Sequence, residues 1–253
     1  MLARDDLAVL IAIGLLAYAS ADIAHHVLGH GGACLLGGGR ILSLSSVYVD
    51  CTVRGTTIDL AGPFANLLLG MVALIVARWR ADKSGAAMAL FLALTTAFNL
   101  FWFFLQLVFS VATGTDDWAW ALHQFHASEA MRYGLIAFGA FGYWFTLRMA
   151  SAALAGFTIP LARLRRIVWS AWLTAGTFAC LTALFDPAPA QAILHHAAPQ
   201  SFGLAIGLLL IPRRADGTGG KAAPALGNSP AWLAAAVLVA GTSVAWLGPG
   251  FAV

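Results

Sequence analysis

The stretch from Leu7 to His30, LAVLIAIGLLAYASADIAHHVLGH, decides the fold class. From Leu7 to Ala21 it holds no Asp, Glu, Lys, Arg or His. A helix needs about 20 predominantly apolar residues to cross the ~30 Å hydrocarbon layer of a bilayer. This run is long enough, and its polar groups, Asp22, His25, His26 and His30, are gathered toward its far end. Ionisable groups at such a depth are costly and default to a functional reading.

The rest of the chain repeats the pattern. Of 253 residues, 60% are hydrophobic and only 10% are Asp, Glu, Lys or Arg, against roughly 25% in an ordinary soluble domain. Mean hydropathy is +0.83. This excludes a water-soluble globular enzyme and a disordered chain. The net charge of +3 is a small difference between 14 cations and 11 anions. No basic run is long enough to track a phosphate backbone, which excludes a nucleic-acid binder.

Seven apolar runs read as spans, at 7–29, 60–77, 86–111, 132–157, 168–185, 191–212 and 230–248. His195, His196 and Pro199 interrupt the sixth, which reads as a broken or re-entrant helix and leaves six spans as the other count. Residues 40–58 are rich in β-branched side chains and alternate in polarity, the pattern of a β-hairpin. Cys34 and Cys51 flank it and a disulfide between them is possible, whereas Cys180 lies inside a span. Residues 213–229 read as a flexible loop. The expected fold is all-α and polytopic, with six to seven transmembrane helices, a small β-hairpin between the first two, and membrane lipid around it.

Orientation comes from the cations. Arg4, Arg78, Arg80, Lys83, Arg163, Arg165, Arg166, Arg213, Arg214 and Lys221 fall on one side of the seven-span arrangement, ten of the 14. The positive-inside rule makes that side cytoplasmic. All 7 histidines fall toward the other side, predicted to be outer.

His26 and His30 are four apart, so on an α-helix both imidazoles leave one face, with Asp22 a turn earlier. Two neutral imidazoles at that spacing can reach one zinc ion. After the third span comes Ala112-Thr-Gly-Thr-Asp-Asp-Trp118, which the topology returns to the same side. Either Asp116 or Asp117 can supply an oxygen ligand there, and the other reading of the pair is a solvated turn or helix cap. A His₂Asp set leaves the fourth zinc position open, the catalytic arrangement. Further on, His123, His126 and Glu129 recur every third residue. They could form a second metal site, a lid or a proton relay; the plainer reading is an interfacial helix with Trp118, Trp120 and Phe125 dipping into lipid.

The segment His26-Val-Leu-Gly-His30 resembles the HExxH motif of the site-2 protease family, the intramembrane zinc metallopeptidases of class M50. Asp59-Leu-Ala-Gly-Pro-Phe-Ala-Asn66 is similar to that family's A-G-P-x-x-N segment. Asn99 resembles the Asn on the helix leading to the metal-binding Asp, and Asp116 and Asp117 stand where that Asp belongs. The resemblance covers about residues 20–120. It implies a metal-binding core over 1–130, with 131–253 as additional transmembrane helices. It also implies a zinc cofactor and a role for Asn66 and Asn99 in contacting substrate or bracing the site.

Three departures qualify what the resemblance implies. Val27 stands where the motif has its general-base Glu, and that base is typically worth ~10²–10⁴-fold. A substitute would have to come from His25, Asp22, Glu129 or the Asp not used as a ligand. The family's Leu-Asp-Gly signature is replaced by Thr-Asp-Asp-Trp. The cation count places the site on the outer face, whereas typical members carry it nearer the cytoplasm. The expectation is therefore a divergent M50-like peptidase acting within or near the membrane. The other reading is a non-catalytic scaffold or regulator that binds a metal or a transmembrane partner helix. A weaker third is a metal transporter or chaperone.

Overall fold

The computed structural model describes residues 5–80, 85–157, 161–213 and 223–252. Arg4, Lys83, Arg214 and Lys221, four of the cations used for orientation, lie outside these residues, as does much of the loop read at 213–229.

Helix α1 runs unbroken over Leu7–Leu36. Asp6 caps it, its carboxylate accepting from the N–H groups of Ala8 and Val9, which satisfies two donors that a helix start leaves unpaired. The helix is α up to Asp22, π over Ile23–Gly31 and α again over Gly32–Leu36. The histidines thus lie within the helix, in a stretch wound i to i+5, a form that is rare and frequent at functional sites.

Two short strands follow, β1 (Ile41–Leu44) and β2 (Val49–Cys51). They pair antiparallel, Ile41 opposite Cys51 and Leu44 opposite Val49. This is the hairpin expected within 40–58, shortened because helix α2 already begins at Thr56. A Cys34–Cys51 disulfide fastens β2 to the end of α1. The chain's end is pinned there too: Leu44 and Phe251 exchange two backbone hydrogen bonds, and the Ser46 N–H donates to Leu247 O.

The remaining helices are α2 (Thr56–Trp79), α3 (Ala86–Thr113), α4 (Asp116–Gln124), α5 (Glu129–Ala153), α6 (Leu161–Ala183), α7 (Pro189–Pro212) and α8 (Pro230–Leu247). Among the described residues five, α1, α2, α3, α7 and α8, are long and apolar enough to cross a membrane. That is fewer than the six to seven expected. The fourth and fifth expected spans are present as helices α5 and α6, but polar and weakly apolar residues dilute them. Arg132, Arg148, Tyr133, Tyr143, Trp144 and several glycines do so in α5, and Arg163, Arg165, Arg166, Ser170 and three threonines in α6. The interrupted sixth span, expected to be broken or re-entrant, is one continuous helix of irregular winding. After one short α-turn, α7 passes through two π segments on either side of Ala198 and ends in 3₁₀ geometry over Leu204–Arg213.

The core gathers where α1 is enclosed by α3 and α6. Tyr18 sits with its ring centroid 5.7 Å from Phe98, 6.0 Å from Trp102 and 6.2 Å from Phe178. Toward the π segment α1 instead meets α2, and there the backbones nearly touch. A Cβ on Gly29 would fall 2.5 Å from the Gly62 Cα. Only glycine on both helices permits that approach, the device expected when helices pack through small residues.

Candidate metal site

The close contact of α1 with α2 positions the first ligand face. A turn wound i to i+5 stacks residues five apart, so His25 and His30 project together. His30 donates from Nδ1 to the Ile58 carbonyl oxygen at 2.7 Å. Gly62 leaves the room for that ring, since a Cβ there would collide with His30 Nε2. His25 stacks on the indole of Trp102, centroids 4.8 Å apart, and its Nδ1 lies 2.6 Å from Asn66 Oδ1.

The direction of that last hydrogen bond follows from its neighbours. Asn99 Nδ2 donates to Thr95 O at 2.8 Å, and its Oδ1 accepts from Asn66 Nδ2 at 3.0 Å. Asn66 Nδ2 also donates to Ala21 O at 2.9 Å. Both donors of Asn66 are thus spent on acceptors, so its Oδ1 faces His25 and the His25 Nδ1 must carry the proton. Both buried imidazoles are thereby fixed in the tautomer that leaves Nε2 with a free lone pair.

The third group comes from α4. Gly114 and Asp116 both have positive φ, 72° each, a conformation that Asp tolerates better than most residues. The resulting corner drops α4 against α3. Ser110 Oγ accepts from the Ala119 N–H at 2.9 Å, and Gln124, from the other end of α4, donates to Asp59 on α2 at 2.8 Å. Asp117 is thereby turned inward. Its Oδ2 lies 3.1 Å from His25 Nε2 and 3.3 Å from His30 Nε2, and the two Nε2 atoms are 3.1 Å apart. All three residues are buried.

His25, His30 and Asp117 could hold a metal ion. Three acceptors converge, and no donor among them is free to separate them. One proton shared among them relieves one pair; a metal ion relieves all three. The spacing fits: a tetrahedral zinc with bonds of ~2.0–2.1 Å sets its donor atoms about 3.3 Å apart. The outer partners fit as well, because a metal-ligating histidine ordinarily donates its other ring N–H to a carbonyl or carboxylate. The neighbouring Asp116 carboxyl is raised above its ordinary range, by burial and then by the charge of Asp117.

The other residues singled out from the sequence divide as follows. His26 is turned from the cluster, with Nδ1 3.1 Å from Asp22 Oδ1, though it still lines the cleft above the site. Asp116 takes a hydrogen bond from Gln106 Nε2 at 3.0 Å, and the same nitrogen donates to Asp117 at 2.9 Å. Asn66 and Asn99 stand behind His25 as a relay of hydrogen bonds. His123, His126 and Glu129 are exposed and do not line the cleft. Sequence reasoning missed the pairing of His25 with His30, for which no signal in the letters distinguishes a π turn from an α turn. It also passed over Gln106, whose position as a polar residue inside an apolar span was the available sign.

The cleft has a volume of about 170 Å³. Its wall includes Val47 to Cys51 of the hairpin, Arg54 and Asp59, Trp120 of α4, and His196 and Gln200 of α7. The hairpin, held by its disulfide, thus forms one lip of the cleft and the irregularly wound α7 another. No protein-family model, no curated protein and no solved structure matches this chain.

Proposed function

We propose that the chain is a divergent relative of the site-2 proteases, a membrane-embedded zinc protein that hydrolyses peptide bonds within or near the bilayer. The observation that carries the reading is the convergence of His25 Nε2, His30 Nε2 and Asp117 Oδ2 at the floor of an open cleft. Such a set supplies three protein ligands and leaves a position free, the arrangement of catalytic rather than structural zinc sites. Zinc, when bound, contributes Lewis acidity toward a water or a carbonyl oxygen.

The chain's own residues supply the rest. With His25 as the first ligand, the residue that follows it, the place of Glu in the HExxH motif, is His26 and not Val27. The extra residue in the π turn accounts for the shift. His26 is oriented by Asp22: its Nδ1 lies 3.1 Å from the carboxyl Oδ1, and with the ring proton on that nitrogen Nε2 is the basic one. A carboxylate holding an imidazole in one tautomer is the arrangement by which histidine serves as a general base and then as a general acid. His26 Nε2 would accept a proton in the hydration step and return it to the leaving amine. Asn66 and Asn99 keep His25 in the ligating tautomer.

The second reading, a metal-binding scaffold without hydrolytic activity, is favoured by one observation: the chain's single glutamate, Glu129, lies away from the cleft. One experiment separates the two. The full chain is purified in detergent, its zinc is measured, and it is reconstituted with a quenched-fluorescent Leu/Ala-rich peptide carrying a Gly-Gly centre. Near-stoichiometric zinc with chelator-sensitive cleavage supports the peptidase; zinc without cleavage leaves the scaffold; absence of zinc removes both.

A further inference from the structure

Helix α7 brings a further histidine to the cleft. His196 lines the same cavity as His25, His26 and Asp117, which come from α1 and α4. It is half-buried, and its imidazole has no hydrogen-bond partner among the described residues. It lies close enough to His26 for the two rings to interact electrostatically. The stretch that carries it, Ala192–Ala197, is wound i to i+5, the same form that stacks His25 over His30 on α1 and one frequent at functional sites. No neighbour fixes the tautomer of His196, so either ring nitrogen can present an N–H to the cavity.

Most other donors in the wall are committed or stand at its edge. The Nδ1 protons of His25 and His30 go to Asn66 and Ile58, and Nδ1 of His26 faces Asp22. Arg54 is paired with Asp50, and its side chain is 85% exposed. Tyr48 and Trp120 are 37% and 55% exposed. We infer that His196 is a further catalytic residue: its ring N–H donates to the carbonyl oxygen of a peptide bond being hydrated in the cleft. The inference rests on the peptidase reading. In the hydration step a bond forms between the water oxygen and the carbonyl carbon. The water's proton goes to His26 Nε2, and the π pair of the C=O bond moves onto the carbonyl oxygen. That oxygen gains charge while His26 is occupied with the proton, so its donor has to be another group. His196 keeps its own proton throughout and donates a hydrogen bond that strengthens as the charge develops. Only interactions stronger in the transition state than in the bound substrate accelerate the step. The cleft is small, about 170 Å³, below the roughly 300–1,000 Å³ of ordinary ligand cavities, so a peptide bond held in it lies against both walls.

The test uses the full chain in detergent with zinc bound. Calorimetry measures its affinity for two probes: a Leu-Ala phosphinic isostere, whose tetrahedral centre carries the oxygen that His196 would meet, and a Leu-Ala hydroxamate, which has no such centre. Zinc content and cleavage of the quenched-fluorescent peptide are read alongside. His196→Phe keeps a planar ring and removes both nitrogens. It should lose about 10²-fold in phosphinate affinity and about 10²–10³-fold in kcat, with KM, hydroxamate affinity and zinc content near wild type. His196→Gln retains an amide N–H and should recover part of both losses, which a ring needed only for packing would not allow. Wild-type phosphinate affinity and kcat in His196→Phe overturn the inference, as do equal losses for the two probes or loss of zinc from that variant. A larger loss in Tyr48→Phe or Trp120→Phe than in His196→Phe would place the donor at the rim and overturn it too. All these outcomes leave the peptidase reading standing. A wild-type chain that holds zinc yet neither cleaves the peptide nor binds the phosphinate would sink that reading and this inference with it.

Discussion

His25 and His30, five residues apart on one helix, bring their Nε2 atoms to 3.1 Å of each other with both Nδ1 atoms already committed to carbonyl oxygens. Two lone pairs held that close, with a carboxylate oxygen beside them, could hold a cation. The consequence is a specific order among histidine variants. His25→Ala, His30→Ala and Asp117→Asn should each lose bound zinc from the purified chain, while His26→Ala retains it and loses hydrolysis. Metal stoichiometry by mass spectrometry checks this. Full zinc in His25→Ala, or its loss in His26→Ala, would return the ligand role to the i, i+4 pair.

Asn66 should matter almost as much as a ligand without touching the metal. It fixes the tautomer of His25 through a chain of donors ending at Thr95 O. Partners of that kind typically account for 10–100-fold in metal affinity. Asn66→Asp keeps an oxygen toward His25 but loses the amide donors to Ala21 and Asn99, so it should weaken zinc binding less than Asn66→Leu. Competition against a calibrated chelator gives the ranking, and equal affinity for wild type and Asn66→Leu would show that the relay is not needed.

Gly62→Ala tests the helix contact that makes the site possible. The added methyl would fall on His30 Nε2, and the facing Gly29 allows α2 no retreat toward a different packing. The variant should fail to bind zinc while its helix content, read by circular dichroism, is unchanged. A Gly203→Ala substitution, in open space by the same measure, should keep zinc at the wild-type level.

These residues also show how far the letters carry. The apolar runs at 7–29, 60–77, 86–111 and 230–248 became α1, α2, α3 and α8 because a run of that length has little choice but helix. The β-branched stretch after Arg40 became a hairpin for a similarly local reason. The ligand face was less legible. In Ile23-Ala-His-His-Val-Leu-Gly-His-Gly31 nothing local separates an α turn from a π turn, so the i, i+4 rule pointed to His26, and the winding stacks His25 over His30. The choice between Asp116 and Asp117 rests on a positive φ at Asp116 and on Gln106 from another helix, neither of which a sequence pattern encodes. The helices α5 and α6 form where the fourth and fifth spans are expected, but they are less apolar than the other five because their Arg, Tyr, Trp and Gly residues are spread through otherwise apolar stretches.

The Cys34–Cys51 disulfide closes a loop of sequence separation 17 around the hairpin. Closure of such a loop stabilises by about 3 kcal/mol in the chain-entropy account. Because Val47 to Cys51 form one lip of the cleft, the effect should appear in the site as well as in the melting curve. The double variant Cys34→Ser/Cys51→Ser should melt several degrees lower and release zinc to a chelator faster than wild type. Unchanged release with a lowered melting point would mean that the lip does not guard the metal.

The clasp at the other end of the molecule gives a pH dependence of definite sign. Asp5, 6% exposed, accepts from Arg163 Nε and Nη2 at 2.8 Å each and from the Leu226 N–H at 2.8 Å. The same guanidinium donates to Ala223 O and Pro224 O at 2.6 and 2.7 Å, so three separate segments meet at one ion pair. Burial raises the Asp5 carboxyl, but the hydrogen bonds from Arg163 and Leu226 outweigh it and hold it below the ordinary carboxylate range. A carboxyl lowered in the folded state contributes stability that is complete above its unfolded value of about 3.9 and is lost as pH falls through the folded value. Asp5→Asn should therefore cost roughly 2–3 kcal/mol at pH 7, and the gap between wild type and variant should close as pH is lowered below about 4. Arg163→Lys should not restore the clasp, because a single ammonium cannot make the paired contacts of the fork. Thermal unfolding in detergent at pH 7, 5 and 3 reads all three outcomes, and a gap as wide at pH 3 as at pH 7 would show that Asp5 is not held as the charged partner of Arg163.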